Sequence, residues 1–529
     1  MLPIDRRAIM LTLALLIAGV ASAAEQRISF NVGSEPKTLD PHLATGVVES
    51  YVINALIEGL TTLDEKGQPV PGMAEKWEIS PDGKTVTFFM RQAKWNNGDP
   101  VTAGDFVYGW LRCLAPETAA EYAYQLFLVT GAEEYNSGKS KDPASVGLRA
   151  VTSQTLEVKL KNPTPYFVSL VAHAAYSPVN ERVVRANAKW ANDPKTYVGN
   201  GPFNITEWRH NDQIIVMKNP HYYAADKVRL DAIDMMLIAN ESTALMQWEA
   251  NKLDIIETYV PLPDIPRLKK AGQLQIAPYL GTYYVAVQNA AKPFDDVRVR
   301  KAFALSLNRR QITDAVLRAG QPPALALVPP GITLPGGGDY RQKGGDLFKE
   351  DIAQAKKLLA EAGYPNGRGL PRIKYLYNDI QQHRTIAEAL QRMWHENLGV
   401  RVDLQVQEWK VYLQNVHAEN YQIARAGWIG DFLDPVAFLD MFVTGAGNNN
   451  FKYANKEFDK LVADSRSTSD SAARLDMLRA AEKKLIADDM VVIPLYFYVD
   501  PFLQKPWVKG VVRNPTSSVL FHRAYVEGK

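Results

Sequence analysis

Of 529 residues only one, Cys113, is a cysteine. A single thiol excludes an internal disulfide and a cysteine-based zinc site. Stability therefore has to come from core burial, and Cys113 is expected as a small buried apolar side chain. Neither sign of charge dominates: 60 Lys and Arg face 58 Asp and Glu, a formal charge of +2. That leaves no basic field for nucleic acid. The one long apolar run, residues 8–20, is too short for an ordinary membrane-spanning helix. The eight histidines are dispersed. His383 and His395 share a predicted helix but are too far apart to hold one ion, so no metal and no cofactor is expected. No H-E-x-x-H, G-x-S-x-G, phosphate-binding loop or dinucleotide glycine fingerprint occurs in the context it requires. Nothing in the chain argues for an enzyme, and there is no internal repeat, low-complexity tract or long Gly/Ser linker.

What the chain does have begins at its N-terminus. Arg6 and Arg7 precede the short apolar run, and Ala21-Ser22-Ala23 follows it, the pattern of a cleaved export signal over residues 1–23. No cysteine stands at the cleavage point, which argues against a lipid anchor. The paired arginines leave the export route, general secretory or twin-arginine, open. The length calls for two or three domains. The 24 Tyr and 10 Trp supply large apolar faces with polar handles, useful in cores and binding clefts alike.

Along the chain, residues 28–32 read as a strand, 33–42 as a loop and 48–60 as a helix. Residues 77–91 read as a hairpin around Ser80-Pro81-Asp82-Gly83. Thr102 and Asp105 form a capping box for a helix over 106–114. Further on, a strand is expected at 156–160, and helices at 166–171, 299–307, 311–318 and 352–362. Residues 373–426 then alternate: strand 373–377, an apolar helical face (Ile386, Leu390, Met393, Trp394, Leu398), strand 400–406, helix 411–419 and strand 423–426. Such a βαβαβ succession implies parallel strands with right-handed crossovers.

The stretch ARAGWIGDFLDP (424–435) ends that succession. It puts Trp428 and Asp431 where an open α/β sheet presents ligand-binding groups. An aromatic plate three residues from an unpaired carboxylate suits an amino group on an apolar body. The competing structural role makes Asp431 the cap of a helix from Phe432 and Trp428 a core residue.

The chain resembles the periplasmic oligopeptide-binding proteins of ABC importers, within the large peptide- and nickel-binding solute-binding family. The resemblance is carried by GSEPKTLDPH (33–42), GMAEKWEISPDGKTVTF (72–88), AKWNNGDPVTAGDFVYGW (93–110), PFDDVRVRKAFALSLNR (293–309), AKKLLAEAGY (355–364), NLGVRVDLQVQEWK (397–410), ARAGWIGDF (424–432) and VVIPLYFYVD (491–500). It implies an α/β fold of two lobes closing over the ligand, with an additional α+β domain on the first lobe. Lobe I would comprise residues 24–57, 181–280 and 500–529, the additional domain 58–180, and lobe II 281–499.

The implied function is capture of an extended oligopeptide in the periplasm and its delivery to an ABC permease at the inner membrane. A monomer with no nucleic-acid partner is expected. A murein peptide or other non-standard peptide is the alternative cargo, and an exported peptidase the alternative class. The resemblance makes Asp431 the carboxylate that holds the peptide's α-amino group. Trp428, Trp409, Tyr122, Tyr284 and Tyr498 become aromatic lining, Gly46 and Val47 a backbone segment that pairs with the peptide, and Arg425 and His383 cations for its carboxylate. The chain departs from the family at three points. Gly281 and Ile429 occupy the positions of a disulfide, Leu317 (beside Arg318) that of a lysine, and Thr45 that of an acidic cleft residue.

Overall fold

The structure is a computed structural model describing residues 25–257, 260–468, 470–516 and 519–529. The export signal expected over residues 1–23 lies outside the described residues.

The chain opens with β1 (Arg27–Asn31) and α1 (Val47–Leu56). It then builds a four-stranded antiparallel sheet from β2 (Ala74–Ile79), β3 (Thr85–Met90), β4 (Leu148–Thr152) and β5 (Thr155–Lys159), in the order β2-β3-β5-β4. Between β3 and β4 runs α2 (Ala103–Leu114), started by the expected capping box. There the Thr102 N–H donates to Asp105 Oδ2 at 2.7 Å. Cys113 is fully buried on this helix. The chain returns through β6 (Phe203–Arg209), β7 (Gln213–Lys218), β8 (Ala232–Met236), helix α3 (Glu241–Glu249), β9 (Ile255–Ile256) and β10 (Leu274–Val287). The βαβαβ unit follows: β11 (Ile373–Asn378), α4 (Gln381–Leu398), β12 (Val402–Gln407), α5 (Trp409–His417) and β13 (Ile423–Ile429). The last long strand is β14 (Val492–Gln504).

Ten of these strands join one mixed sheet, ordered β6-β7-β8-β1-β9-β14-β10-β13-β11-β12. β11 pairs parallel with both β12 and β13, as the alternation of strand and helix requires. The fold is thus α/β and two-lobed. The strands from the early part of the chain lie at one end of the sheet and the βαβαβ unit at the other. The antiparallel pair β10 and β14 runs through both. That pair slips register between Pro278 and Thr282, so the two halves meet at an irregularity rather than along a continuous ladder.

Two differences from the sequence-based expectation have physical causes. The helix expected to reach residue 60 stops at Leu56, whose carbonyl accepts the Gly201 N–H at 2.9 Å, and Ile57 is already extended. Residues Gln311–Leu317 form a wide π-helical segment, closed by Arg318 at φ 62°. The buried side chains of the four-stranded sheet and the segments around it (Phe88, Trp110, Phe167, Tyr176) share one core with Phe432, Phe438, Leu478 and Ile486. A separate core gathers around Phe30, Ile53, Trp190 and Ile233. No described helix is long and apolar enough to cross a membrane.

Candidate functional site

Between the lobes lies a cavity of about 250 Å³. A water molecule's share of liquid volume is about 30 Å³, so the space suits a ligand of some size rather than an ion. Gly46, Val47, Tyr122, His383, Trp409, Arg425, Trp428, Asp431 and Tyr498 all line it. Segments separated by hundreds of residues thus converge on one space.

Asp431 follows β13 directly, and its side chain is only 10% exposed. Its carboxylate accepts from Gln125 Nε2 at 2.6 Å and faces His173 Nε2 at 3.3 Å. The Ala175 N–H donates to His173 Nδ1, so the proton of a neutral ring belongs on Nε2, facing Asp431. Burial pushes His173 down to about 4, which keeps that ring neutral at pH 7. Burial also pushes the Asp431 carboxyl up to about 7, partly offset by the Gln125 hydrogen bond. Among the described residues no Lys or Arg forms an ion pair with Asp431. Asp431 is not a helix cap. The next helix, Val436–Leu439, starts at Pro435, and it is Asp434 that accepts the Val436 N–H at 3.0 Å.

Trp428 lies within β13, which runs on to Ile429, rather than beyond the strand's end. It is half-buried, and its indole N–H donates to the Ala437 carbonyl at 2.7 Å. Its ring is 6.1 Å from that of Tyr122, which in turn is 4.5 Å from the His173 ring. Asp431 thus sits beside an aromatic wall.

Arg425, earlier on the same strand, donates to Tyr498 Oη at 3.3 Å and lies over the Tyr283 ring at 5.1 Å. Tyr498 presses close to β13: a Cβ on Gly427 would come within 2.4 Å of its hydroxyl. His383 is not a cation here. It is 1% exposed, and burial followed by the charge of Arg425 holds its imidazole well below the usual range.

Gly46 is the N-cap of α1 and offers no side-chain cap. The first N–H groups of the helix, Val47 onward, therefore lack intrahelical partners at the cavity wall. A Cβ on Gly46 would run into the Glu49 carboxylate and lie 3.2 Å from Trp409 Cζ2, so a side chain there would have to displace Glu49. Trp409 begins α5 and stacks on Tyr412 at 5.7 Å. The Thr45 hydroxyl is buried at the wall without a partner among the described residues.

Tyr284 is a correction. Alternation along β10 sends it to the face opposite Tyr283, where it packs 6.2 Å from Phe451 at 2% exposure and is not part of the cavity wall. Leu317 is fully buried, and Arg318 donates to the Ala315 carbonyl, so neither serves the cavity. Gly281 and Ile429 face each other across β10 and β13, and the Ile429 side chain occupies the space a Cβ on Gly281 would need.

Gln125 and His173 were not legible as site residues, because nothing near either in sequence marks it as a partner of a carboxylate about 300 residues away. Glu257 also lines the cavity, but Arg513 Nε donates to it at 2.7 Å, so it is already neutralised. Among the described residues, no group of three or more His, Cys, Asp or Glu is arranged to hold a metal ion.

Residues 68–450 match the family described as "Bacterial extracellular solute-binding proteins, family 5 Middle". The oligopeptide-binding protein OppA of Bacillus subtilis is 42% identical over 515 residues, covering 95% of this chain and 93% of that one. The crystal structure of Haemophilus influenzae OppA in complex with RPPGFSPFR superposes with a TM-score of 0.89 at 36% identity, covering 95% of this chain and 99% of that chain. The Escherichia coli murein tripeptide binding protein MppA gives 0.89 at 35% identity, covering 95% and 99%. MppA in an unliganded open form gives only 0.64, at 95% and 98% coverage. The lobes here are therefore arranged unlike that open form.

Proposed function

The chain belongs to the family 5 bacterial extracellular solute-binding proteins, and on that premise we propose that it captures oligopeptides by their backbone and end groups in the periplasm. It is the substrate-binding component of a peptide ABC transporter, and the permease subunits at the inner membrane receive its cargo. The observation that carries the proposal is the state of Asp431: a carboxylate nearly closed off from water, with two neutral partners and no cation paired to it among the described residues. Such a group is costly until a positive charge joins it. A peptide's α-ammonium supplies that charge.

The rest of the site supports the same cargo. The uncapped start of α1 at Gly46 and Val47 and the buried Thr45 hydroxyl can meet backbone groups of an extended chain. Arg425 and Tyr498 can receive its carboxylate. Recognition through backbone and ends does not depend on side chains, which allows many sequences. We assign lobe I to residues 24–57, 181–280 and 500–529, the additional domain to 58–180 and lobe II to 281–499. The register slip of β10 and β14 at 278–282 supports the first boundary. The protein acts as a monomer, after loss of residues 1–23.

The test is incubation with a mixture of short peptides, followed by mass spectrometry of the bound and free fractions. Intact peptides released from the protein support the proposal. Fragments accumulating with turnover would make it a peptidase, and selective retention of a murein peptide would narrow the cargo.

A further inference from the structure

Helix α4 has 18 residues and begins at the cavity wall, where Ile380, Gln382 and His383 all line the space. Its N-cap residue is Ile380, which has no side chain able to accept a hydrogen bond. A helix start leaves several N–H groups without intrahelical partners, and a carboxylate there is favoured by both hydrogen bonding and the helix dipole. Here the carboxylate comes from the other lobe. The Gln382 N–H donates to Glu241 Oε1 at 3.1 Å, and Glu241 is the first residue of α3. α3 has its own cap, Asn240, which accepts the Thr243 N–H at 2.8 Å. Glu241 is therefore not needed to start its own helix, and its side chain is turned across the cleft.

Glu241 is 3% exposed, and burial pushes its carboxyl up to about 7. No ion pair joins it to a described residue, and its second oxygen is buried without a hydrogen bond. β11, which feeds α4, is separated from the connecting strands β10 and β14 by β13, so this contact spans the cleft away from the strands that join the lobes.

We infer that Glu241 is a positioning residue for ligand retention: it caps α4 from the opposite lobe and so holds the lobes shut over the bound peptide. The inference rests on the binding function proposed above. Opening breaks the Glu241–Gln382 bond and returns the carboxylate to water, while closing completes the helix start beside His383. Glu241 does not itself line the cavity and reaches it only through the Gln382 N–H, so its effect falls on the rate of opening.

The experiment compares wild type, Glu241→Ala and Glu241→Gln by stopped-flow dissociation of a labelled tripeptide, with the melting temperature of each ligand-free protein as the folding control. Loss of a helix cap typically costs enough to change an equilibrium about 3- to 30-fold. Glu241→Ala should speed dissociation by that factor, with association and the ligand-free melting temperature unchanged. Glu241→Gln retains an acceptor and should stay within about threefold of wild type. Unchanged or slower dissociation in Glu241→Ala overturns the inference, as does a loss of ligand-free stability without a change in dissociation. Failure of wild type to bind any peptide would instead count against the proposed function. The latch is then read from amide exchange at Gln382 in the peptide-bound protein. Protection lost in Glu241→Ala and kept in Glu241→Gln supports it, and equal exchange in all three proteins overturns it.

Discussion

The cavity wall handles two of its charges, Asp431 and Arg425, in opposite ways. Asp431 is desolvated and, among the described residues, meets Gln125 and a neutral His173 but no cation. Arg425 rests over the Tyr283 ring and donates to the Tyr498 hydroxyl. The first is an ion pair with one member missing, and the second is a cation already cushioned. Elsewhere the wall offers Thr45, Asn54, Gln321 and Gln382, polar but uncharged, and Glu257, already paired with Arg513. A ligand therefore gains most where its ammonium meets Asp431 and less where its carboxylate meets Arg425. It gains little that depends on side-chain charge elsewhere.

That ordering can be broken in four places. Asp431→Asn should weaken binding of free peptides most. Removing one partner of a buried charge pair typically costs about 2–5 kcal/mol, or tens- to thousands-fold in Kd, measured by calorimetry. Arg425→Gln should cost less, about ten- to hundredfold, because hydrogen bonds to charged groups contribute about 1.5–3 kcal/mol. Peptides with amidated C-termini should barely notice that change. If Arg425→Gln proves worse than Asp431→Asn, the asymmetry between the two charges is wrong.

The third effect is on stability without ligand. Asp431's carboxyl is raised to about 7 in the folded protein, so the fold favours its neutral form. That contribution is fully present below the ordinary carboxylate range and is lost as pH rises through about 7. Ligand-free Asp431→Asn should therefore melt above wild type at pH 8, and the gap should close by pH 4. An unchanged gap would mean that Asp431 is not strained in the empty site. The smallest effect concerns Trp428. Its half-buried ring on the cavity wall should report binding, and Trp428→Phe should remove most of the ligand-induced fluorescence change. Retention of the whole change would move the reporter elsewhere.

Much of this was legible in the sequence, and the parts that were not share a cause. The parallel arrangement of β11, β12 and β13 follows from alternating periodicities, which are local. The strand, two glycines and tryptophan around Asp431 suit a helix cap as well as a ligand-binding carboxylate, and it was the resemblance along the rest of the chain that pointed to the second. Asp431's partners Gln125 and His173 lie more than 250 residues earlier in the chain, and only the fold brings them near. The positive charge expected on His383 depends on how deeply it is buried beside Arg425, which no local pattern reveals. Tyr284 was assigned to the cleft by resemblance, whereas strand alternation turns it into the core. Glu241 escaped notice because its partner is a backbone N–H on another lobe.

The central claim is that Asp431 binds an α-ammonium, and one calorimetric cycle tests it directly. A free tripeptide and its N-acetylated form are titrated into wild type and Asp431→Asn at pH 7.5. The account predicts strong binding only for the free peptide with wild type, with the acetylated peptide losing far less on mutation than the free one. Equal affinity of wild type and Asp431→Asn for the free peptide would contradict it and remove Asp431 from the site.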